Sequence, residues 1–402
     1  MQIKEALTMY TPFTSKHFTK YTDPVSGHTI AILTTKFAPI QQVNYFVNPG
    51  GTTDGRYFWF SCSYPSGGGR LWAVIDFETD EMNLFPETHT SAGPMVDPET
   101  GYLYFNSNDA IFYRTPNPWD RPVKILDLPE EIKAVDGFYS NCHLSFNADR
   151  KDMVIECITP NNERLGGFQN LETGKYTQLY YSCDGVYYDH THGSPTDPDL
   201  ISVANDLWDE DIMAYKDVFE DGIFPRLNII TRDGKRTVLK PYGNCATHEW
   251  WAADGKGMYY INNYLKDTDE AILGYTPIDG GEPEVIFSAC TPGATNSLWH
   301  GHCSQDQKYF VADAAYPCMG EPIWRGAESM VYFHNHVSGK TIKFLTKNPV
   351  VEGWSPQNPC WYHIDPHPGF VMNDRYITFT TTVLGHVDVA FADVASLIEA
   401  TK

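Results

Sequence analysis

Residues 252–261 read AADGKGMYYI, and they decide the fold. Asp254-Gly255 is a strong turn dipeptide. The four residues Met258-Tyr259-Tyr260-Ile261 are β-prone and apolar throughout, as expected of a strand covered on both faces. The same turn-then-strand unit recurs as TTDGRYFWF (52–60), VDPETGYLYFN (96–106), FNADRKDMVIE (146–156), TDPDLISVAN (196–205), SQDQKYFVAD (304–313) and MNDRYITFTT (372–381). That makes seven copies, spaced roughly 50 residues apart. A second strand with its own turn follows each copy, as in LWAVIDFETDE and LNIITRDGK, and most are followed by a short outer strand such as MNLFP or PEVIFS.

Seven units of four short strands predict an all-β, seven-bladed β-propeller occupying residues 1–402 as a single domain. The seventh unit lacks its outer strand. DPVSGHTIAILTT (23–35) has the missing form, so an N-terminal strand is expected to close the last blade and remove the open seam. No helical period competes over any long stretch, and there is no Gly-x-Ser-x-Gly nucleophile elbow.

Composition narrows the function classes. The chain of 402 residues carries a formal net charge of −22, a poor basis for binding nucleic acid or anionic membranes. Its nine cysteines are scattered without a Cys-x-x-Cys pair, which argues against a disulfide framework and for a reducing, cytoplasmic setting. The N-terminus has no apolar run of signal-peptide length, and no segment approaches a spanning helix. Cys245 and Cys303 read as small core residues.

The histidines carry the functional signal. In a propeller the innermost strand of each blade lines the central channel, and the residues upstream of each turn lie at one rim. His192 stands there in blade four, His248 in blade five, His300 and His302 in blade six, and His363, Asp365 and His367 in blade seven; Asn44 and Tyr45 hold the place in blade one, Asn141 and His143 in blade three. A radial fold gathers such positions at one end of the channel, as a metal-ligand or acid–base constellation. His-x-His at 300–302 and His-x-Asp-x-His at 363–367 are ligand spacings, and imidazole with carboxylate suits manganese, iron, nickel or zinc. Arg226 starts the second strand of its blade behind the apolar Ile223-Phe224-Pro225, which points to a place near the funnel. Glu249, next to His248, is expected on the opposite face of the strand, as a surface or supporting group.

These residues also resemble a known family. CATHEWWAADG (245–255), PRLNIITRDG (225–234), HGHCSQDQKYFVAD (300–313) and DPHPGFVMNDRYITFTTTVLGHVDVAFADV (365–394) are similar to segments of the oligogalacturonate lyases, seven-bladed propellers that degrade pectin fragments; NYFVNPGGTTDG (44–55) and HGSPTDPDLISVA (192–204) are more weakly similar. The resemblance implies that His248 removes the C5 proton of a uronate in a β-elimination and that Arg226 assists. It implies a manganese-like divalent ion on His300 and His367, with calcium, zinc and nickel as alternatives. The family's Gln-x-x-His-Pro-His segment reads Tyr362-His363-Ile364-Asp365-Pro366-His367 here, so Asp365 replaces one histidine and Tyr362 the glutamine, with His363 and His302 available to compensate. His192, Asn44, Tyr45 and His302 are then substrate-binding candidates, and the partner is an acidic oligosaccharide. The altered segment also admits a glucuronate-linked substrate. The competing readings are a hydrolase or epimerase using the same site, and a non-catalytic interaction scaffold.

Overall fold

The computed structural model describes residues 9–64, 70–90, 93–107, 109–133, 139–140, 143–158, 163–182, 188–205, 208–209, 214–215, 226–243, 246–262, 271–289, 297–315, 329–347 and 365–402. They form seven antiparallel blades, each belonging to its own sheet. The inner strands are Ile40–Gln42, Met95–Val96, the pair Tyr139–Ser140 and Ser145–Phe146, Tyr188–Gly193, Ala246–Trp251, Ser297–Cys303 and Gly369–Val371, in blades one to seven. A short extra hairpin, Trp208–Asp209 with Ala214–Tyr215, stands outside the blades.

The recurrent turn works through its acid. The carboxylates of Asp54, Asp97, Asp197, Asp254 and Asp306 each accept a hydrogen bond from the backbone N–H two residues on: 2.9 Å at Arg56, 3.2 Å at Glu99, 2.9 Å at Asp199, 3.0 Å at Lys256 and 3.2 Å at Lys308. These side-chain turns reverse the chain between the inner strand and the next. Gly255 sits at φ +68°, where a residue with Cβ is strained.

The strand that follows is buried on both faces because each blade is packed between two others. Met258 and Tyr260 join the core shared with blade four, while Tyr259 and Ile261 join the core shared with blade six. That is the period of two turned into radial packing. Seven such apolar clusters fill the seven junctions between blades. Each fully buried large side chain is worth about 1.5–3 kcal/mol.

The ring is closed as expected, with one addition. Thr29–Leu33 pairs with Asp388–Asp393 of blade seven, and Phe18–Thr22 adds a further strand outside it, making that sheet five-stranded. Ile30 and Ile32 face blade six, and Ala31 and Leu33 face blade one. After that strand, Val394–Ala400 forms a helix capped by Asp393, whose carboxylate accepts from the Ser396 N–H at 2.8 Å. Among the described residues no helix is long and apolar enough to cross a membrane.

Candidate active site

Three neighbouring inner strands share one irregularity. Asp189 pairs with Ala204 but His192 with Ser202; Thr247 with Ile261 but Trp250 with Tyr259; Leu298 with Ala314 but Gly301 with Ala312. In each, two residues oppose one: His190 and Thr191, His248 and Glu249, Trp299 and His300. These are β-bulges, which re-aim side chains next to functional sites. His190 and His248 are in the left-handed region, at φ 51° and 49°.

The bulge corrects the expectation for Glu249. It is buried, not at the surface, and its Oε2 accepts from Arg226 Nε at 3.0 Å, across the junction between blades four and five. Arg226 is buried too, as its apolar flank suggested. His248, one residue away, turns toward the channel. Its Nδ1 lies 3.0 Å from Thr247 Oγ1, whose hydroxyl donates to the Ile261 carbonyl at 3.2 Å. The Thr247 oxygen therefore accepts from Nδ1–H, and Nε2 keeps the lone pair. Burial, then neighbouring His300 and Arg226, hold the His248 imidazole neutral by pushing its pKa well down.

A turn from blade one crosses the channel. The Asn48 N–H donates to the Tyr45 carbonyl at 2.9 Å, and Asn48 Nδ2 reaches the Leu144 carbonyl of blade three at 3.2 Å. Phe46 packs into the core between blades five and six. Tyr45 is left at the centre, with ring centroids 4.5 Å from His143, 6.1 Å from His190, 5.9 Å from His300 and 5.1 Å from His367. Asn44 is buried, and neither atom of its amide has a hydrogen-bond partner among the described residues.

His248, His300 and His367 form one group, with centroids 4.4 Å apart for the first pair and 4.2 Å for the second. The ligating atoms of His300, Asp365 and His367 fall within 4.8 Å of one another, and all three residues are buried. His300 Nδ1 is 2.9 Å from Asp313 Oδ2, so Nε2 is the atom it can offer a metal; the other Asp313 oxygen accepts the His300 N–H at 2.8 Å, and Oδ2 also accepts the His367 N–H at 3.1 Å. A carboxylate behind a ligating histidine fixes its tautomer and ring orientation. Two imidazoles and one carboxylate with such support fit a divalent cation.

His143, His190 and His192 form a second group, with centroids 5.4 Å and 5.7 Å from the first to the other two. Burial pushes His192 down to about 3, so it is neutral. His190 was not singled out in the sequence. Its signal was available: DHTHG, THEWW and LWHGH occupy the same bulge in consecutive blades. His302 is placed differently from His300. Its Nδ1 accepts the Phe370 N–H at 3.1 Å, tying blade six to blade seven. Cys303 is a buried core residue. His363, Tyr362, Asn141 and Cys245 lie outside the described residues.

Comparison with known proteins agrees with the seven-bladed fold. The chain is 20% identical over 391 residues to the oligogalacturonate lyase of Dickeya dadantii, covering 92% of this chain and 94% of that one. By sequence and by fold, it is a distant homologue of the oligogalacturonate lyases. The oligogalacturonide lyase of Pectobacterium atrosepticum is 23% identical over 172 residues, an alignment that spans 42% of that protein. An oligogalacturonate lyase solved in complex with manganese superposes with TM-score 0.70 at 17% identity over 94% of this chain and 96% of that one. The oligogalacturonate lyase of Vibrio parahaemolyticus gives 0.71 at 17% identity over 96% and 98%. No protein-family model matches the sequence.

Proposed function

We propose that the protein is a lyase that cleaves a short uronate-containing oligosaccharide by β-elimination, leaving a 4,5-unsaturated uronate. The observation that carries this reading is that His248 stands 4.4 Å, ring to ring, from His300 of the His300–Asp365–His367 donor set, with the buried Arg226 cation near enough to help hold its imidazole neutral.

The C5 proton of a uronate is only weakly acidic, and its removal builds negative charge next to a carboxylate. Arg226, held by Glu249, is positioned to neutralise that charge in a site shielded from water. His300, Asp365 and His367, with His363 as a further ligand, would hold a divalent ion, manganese in our reading, and such an ion would supply Lewis-acid neutralisation of the same carboxylate. His248 accepts the proton on Nε2, with Nδ1–H fixed by Thr247. Tyr45, Asn44, His192 and His302 line or brace the substrate channel; the unpartnered Asn44 amide offers a donor and an acceptor to sugar hydroxyls. Local cations matter because the chain is acidic overall, at −22, and the substrate is an anion. We place the enzyme in the cytoplasm, acting on an acidic oligosaccharide.

Elimination creates a conjugated C4=C5 bond that absorbs in the ultraviolet, whereas hydrolysis and epimerisation do not. The test is a panel of oligogalacturonates and glucuronate-linked oligosaccharides followed by absorbance. Growth of the signal on either supports the lyase and names the uronate. New reducing ends without absorbance would replace elimination with hydrolysis, and no turnover on any member would favour the interaction scaffold.

A further inference from the structure

Three arginines open the third strand of a blade, counted from the channel outward. Arg70 begins Arg70–Asp76 in blade one, Arg164 begins Arg164–Asn170 in blade three, and Arg226 immediately precedes Leu227–Thr231 in blade four. The ladders put all three at the end of the blade where the inner strand starts. Leu71 pairs with Cys62 and Cys62 with Gln41; Arg164 pairs with Ile158 and Ile158 with Tyr139; Leu227 pairs with Ala204 and Ala204 with Asp189.

Two of the three are neutralised by an acid of the next blade. Arg164 Nη1 donates to Asp189 Oδ2 at 2.7 Å, and Arg226 Nε donates to Glu249 Oε2 at 3.0 Å. Arg70 has no such partner: among the described residues its guanidinium makes no hydrogen bond and no ion pair. The acids that could supply one are taken. Glu87, on the strand paired with Arg70's own, accepts from Arg114 Nε at 2.9 Å. Residues 93–96 of blade two contain no acid, and Asp97 beyond them accepts from Arg150 Nη2 at 2.7 Å.

The backbone that carries Arg70 is fixed. Arg70 pairs with Thr90, and the buried Trp72 donates its N–H to Thr88 Oγ1 at 3.1 Å, while that hydroxyl donates to the Phe85 carbonyl at 2.6 Å. The side chain is enclosed by protein yet keeps partial exposure, as a group on a channel wall does. Burial pushes its pKa down, and the charge that opposes burial is Asp365 of the metal donor set, with which it makes no ion pair. Arg70 is in turn one of the charges acting on His143. It therefore borders the enclosure around Tyr45, whose ring lies 4.5 Å from His143 and 5.1 Å from His367.

Resting on the lyase reading, we infer that Arg70 docks the carboxylate of a second uronate in the same oligosaccharide. The carboxylate of the uronate that reacts is taken by Arg226 and the metal donor set. Blades one and four stand three places apart in a ring of seven, the widest separation the ring allows. The two arginines are thus opposing walls of one channel, not a clamp on one group. A guanidinium holds its proton and offers a planar fork of donors, which a carboxylate fills with two parallel hydrogen bonds. A neutral sugar supplies no charge to repay the desolvation of that fork. The site selects an oligouronate over a single uronate carried among neutral sugars.

The test uses a short oligouronate and the same oligomer with every carboxyl except the reacting one reduced to the alcohol. Both are followed by absorbance of the unsaturated product at equal ionic strength. The parent should favour the fully acidic oligomer in kcat/KM by roughly 10- to 100-fold. Arg70→Gln should bring that ratio close to one, chiefly through a raised KM on the acidic oligomer. Arg70→Lys keeps the charge but not the fork, so its ratio should fall between the two, and it carries the test if the Gln variant does not fold. A parent indifferent to the second carboxylate overturns the inference and leaves the lyase reading standing. So does the parent ratio persisting in the variants that fold, including the case where both substrates are slowed alike. A parent that cleaves neither oligomer overturns the lyase reading, and the second docking point with it.

Discussion

Arg226 and Glu249 form an ion pair across the junction of blades four and five, Nε to Oε2 at 3.0 Å, with side chains 4% and 2% exposed. A pair so completely removed from water contributes little net stability by itself, but removing one member strands the other. Glu249→Gln should therefore destabilise the protein by about 3–5 kcal/mol in urea unfolding. It should also lower kcat, because the guanidinium loses the group that aims it. A variant with parent stability would mean that Arg226 finds another carboxylate.

Asp313 reaches both histidines of the donor set through one carboxylate, at His300 Nδ1 and at the His367 N–H. Asp313→Asn should weaken manganese binding by roughly 10–100-fold, read by calorimetry. In the parent, manganese at about 100 times its Kd should raise unfolding free energy by about 2.7 kcal/mol. No metal-dependent change in the melting temperature of the parent would leave Arg226 to carry carboxylate neutralisation alone.

Buried neutral histidines, His192 and His334 among them, set an acid limit on stability. Burial lowers His192 to about 3 and, with His336 adding to it, His334 to about 4, from an ordinary 6.5. Above 6.5 both are neutral in folded and unfolded chains and stability is unaffected. As pH falls from 6.5 toward these values, the unfolded chain binds protons that the folded chain refuses, so stability is lost. His190 has the opposite sign: its stabilising charge is fully present below 6.5 and is lost as pH rises through about 9. Urea midpoints measured across pH should fall on both flanks, and His334→Gln should flatten the acid one. A midpoint flat between pH 6.5 and 4 would contradict the buried neutral state.

The fold was legible because two signals coincide: an acidic side chain that makes the turn in five of the seven units, and a strand apolar on both faces. The extra strand Phe18–Thr22 was not, since its pattern is half exposed and gives no face. The helix Val394–Ala400 was marked by Asp393 three residues before Ser396, a capping spacing that a seven-residue helix barely advertises. In the site, His248, His300, Asp365 and His367 could be located from blade register alone. Glu249 and His190 could not, because a bulge breaks the alternation from which facing is read. Tyr45 was placed at the rim of blade one, whereas the turn around it carries the ring to the channel centre, a long-range packing of Phe46 that no local pattern records.

The most direct test is the turnover of His248→Ala on a uronate oligosaccharide that the parent cleaves, followed by absorbance of the unsaturated product, with circular dichroism confirming the folded state. The account predicts a folded variant slowed by roughly 10²-fold or more. A folded His248→Ala that retains parent turnover would contradict it, and would move the base to another residue of the channel.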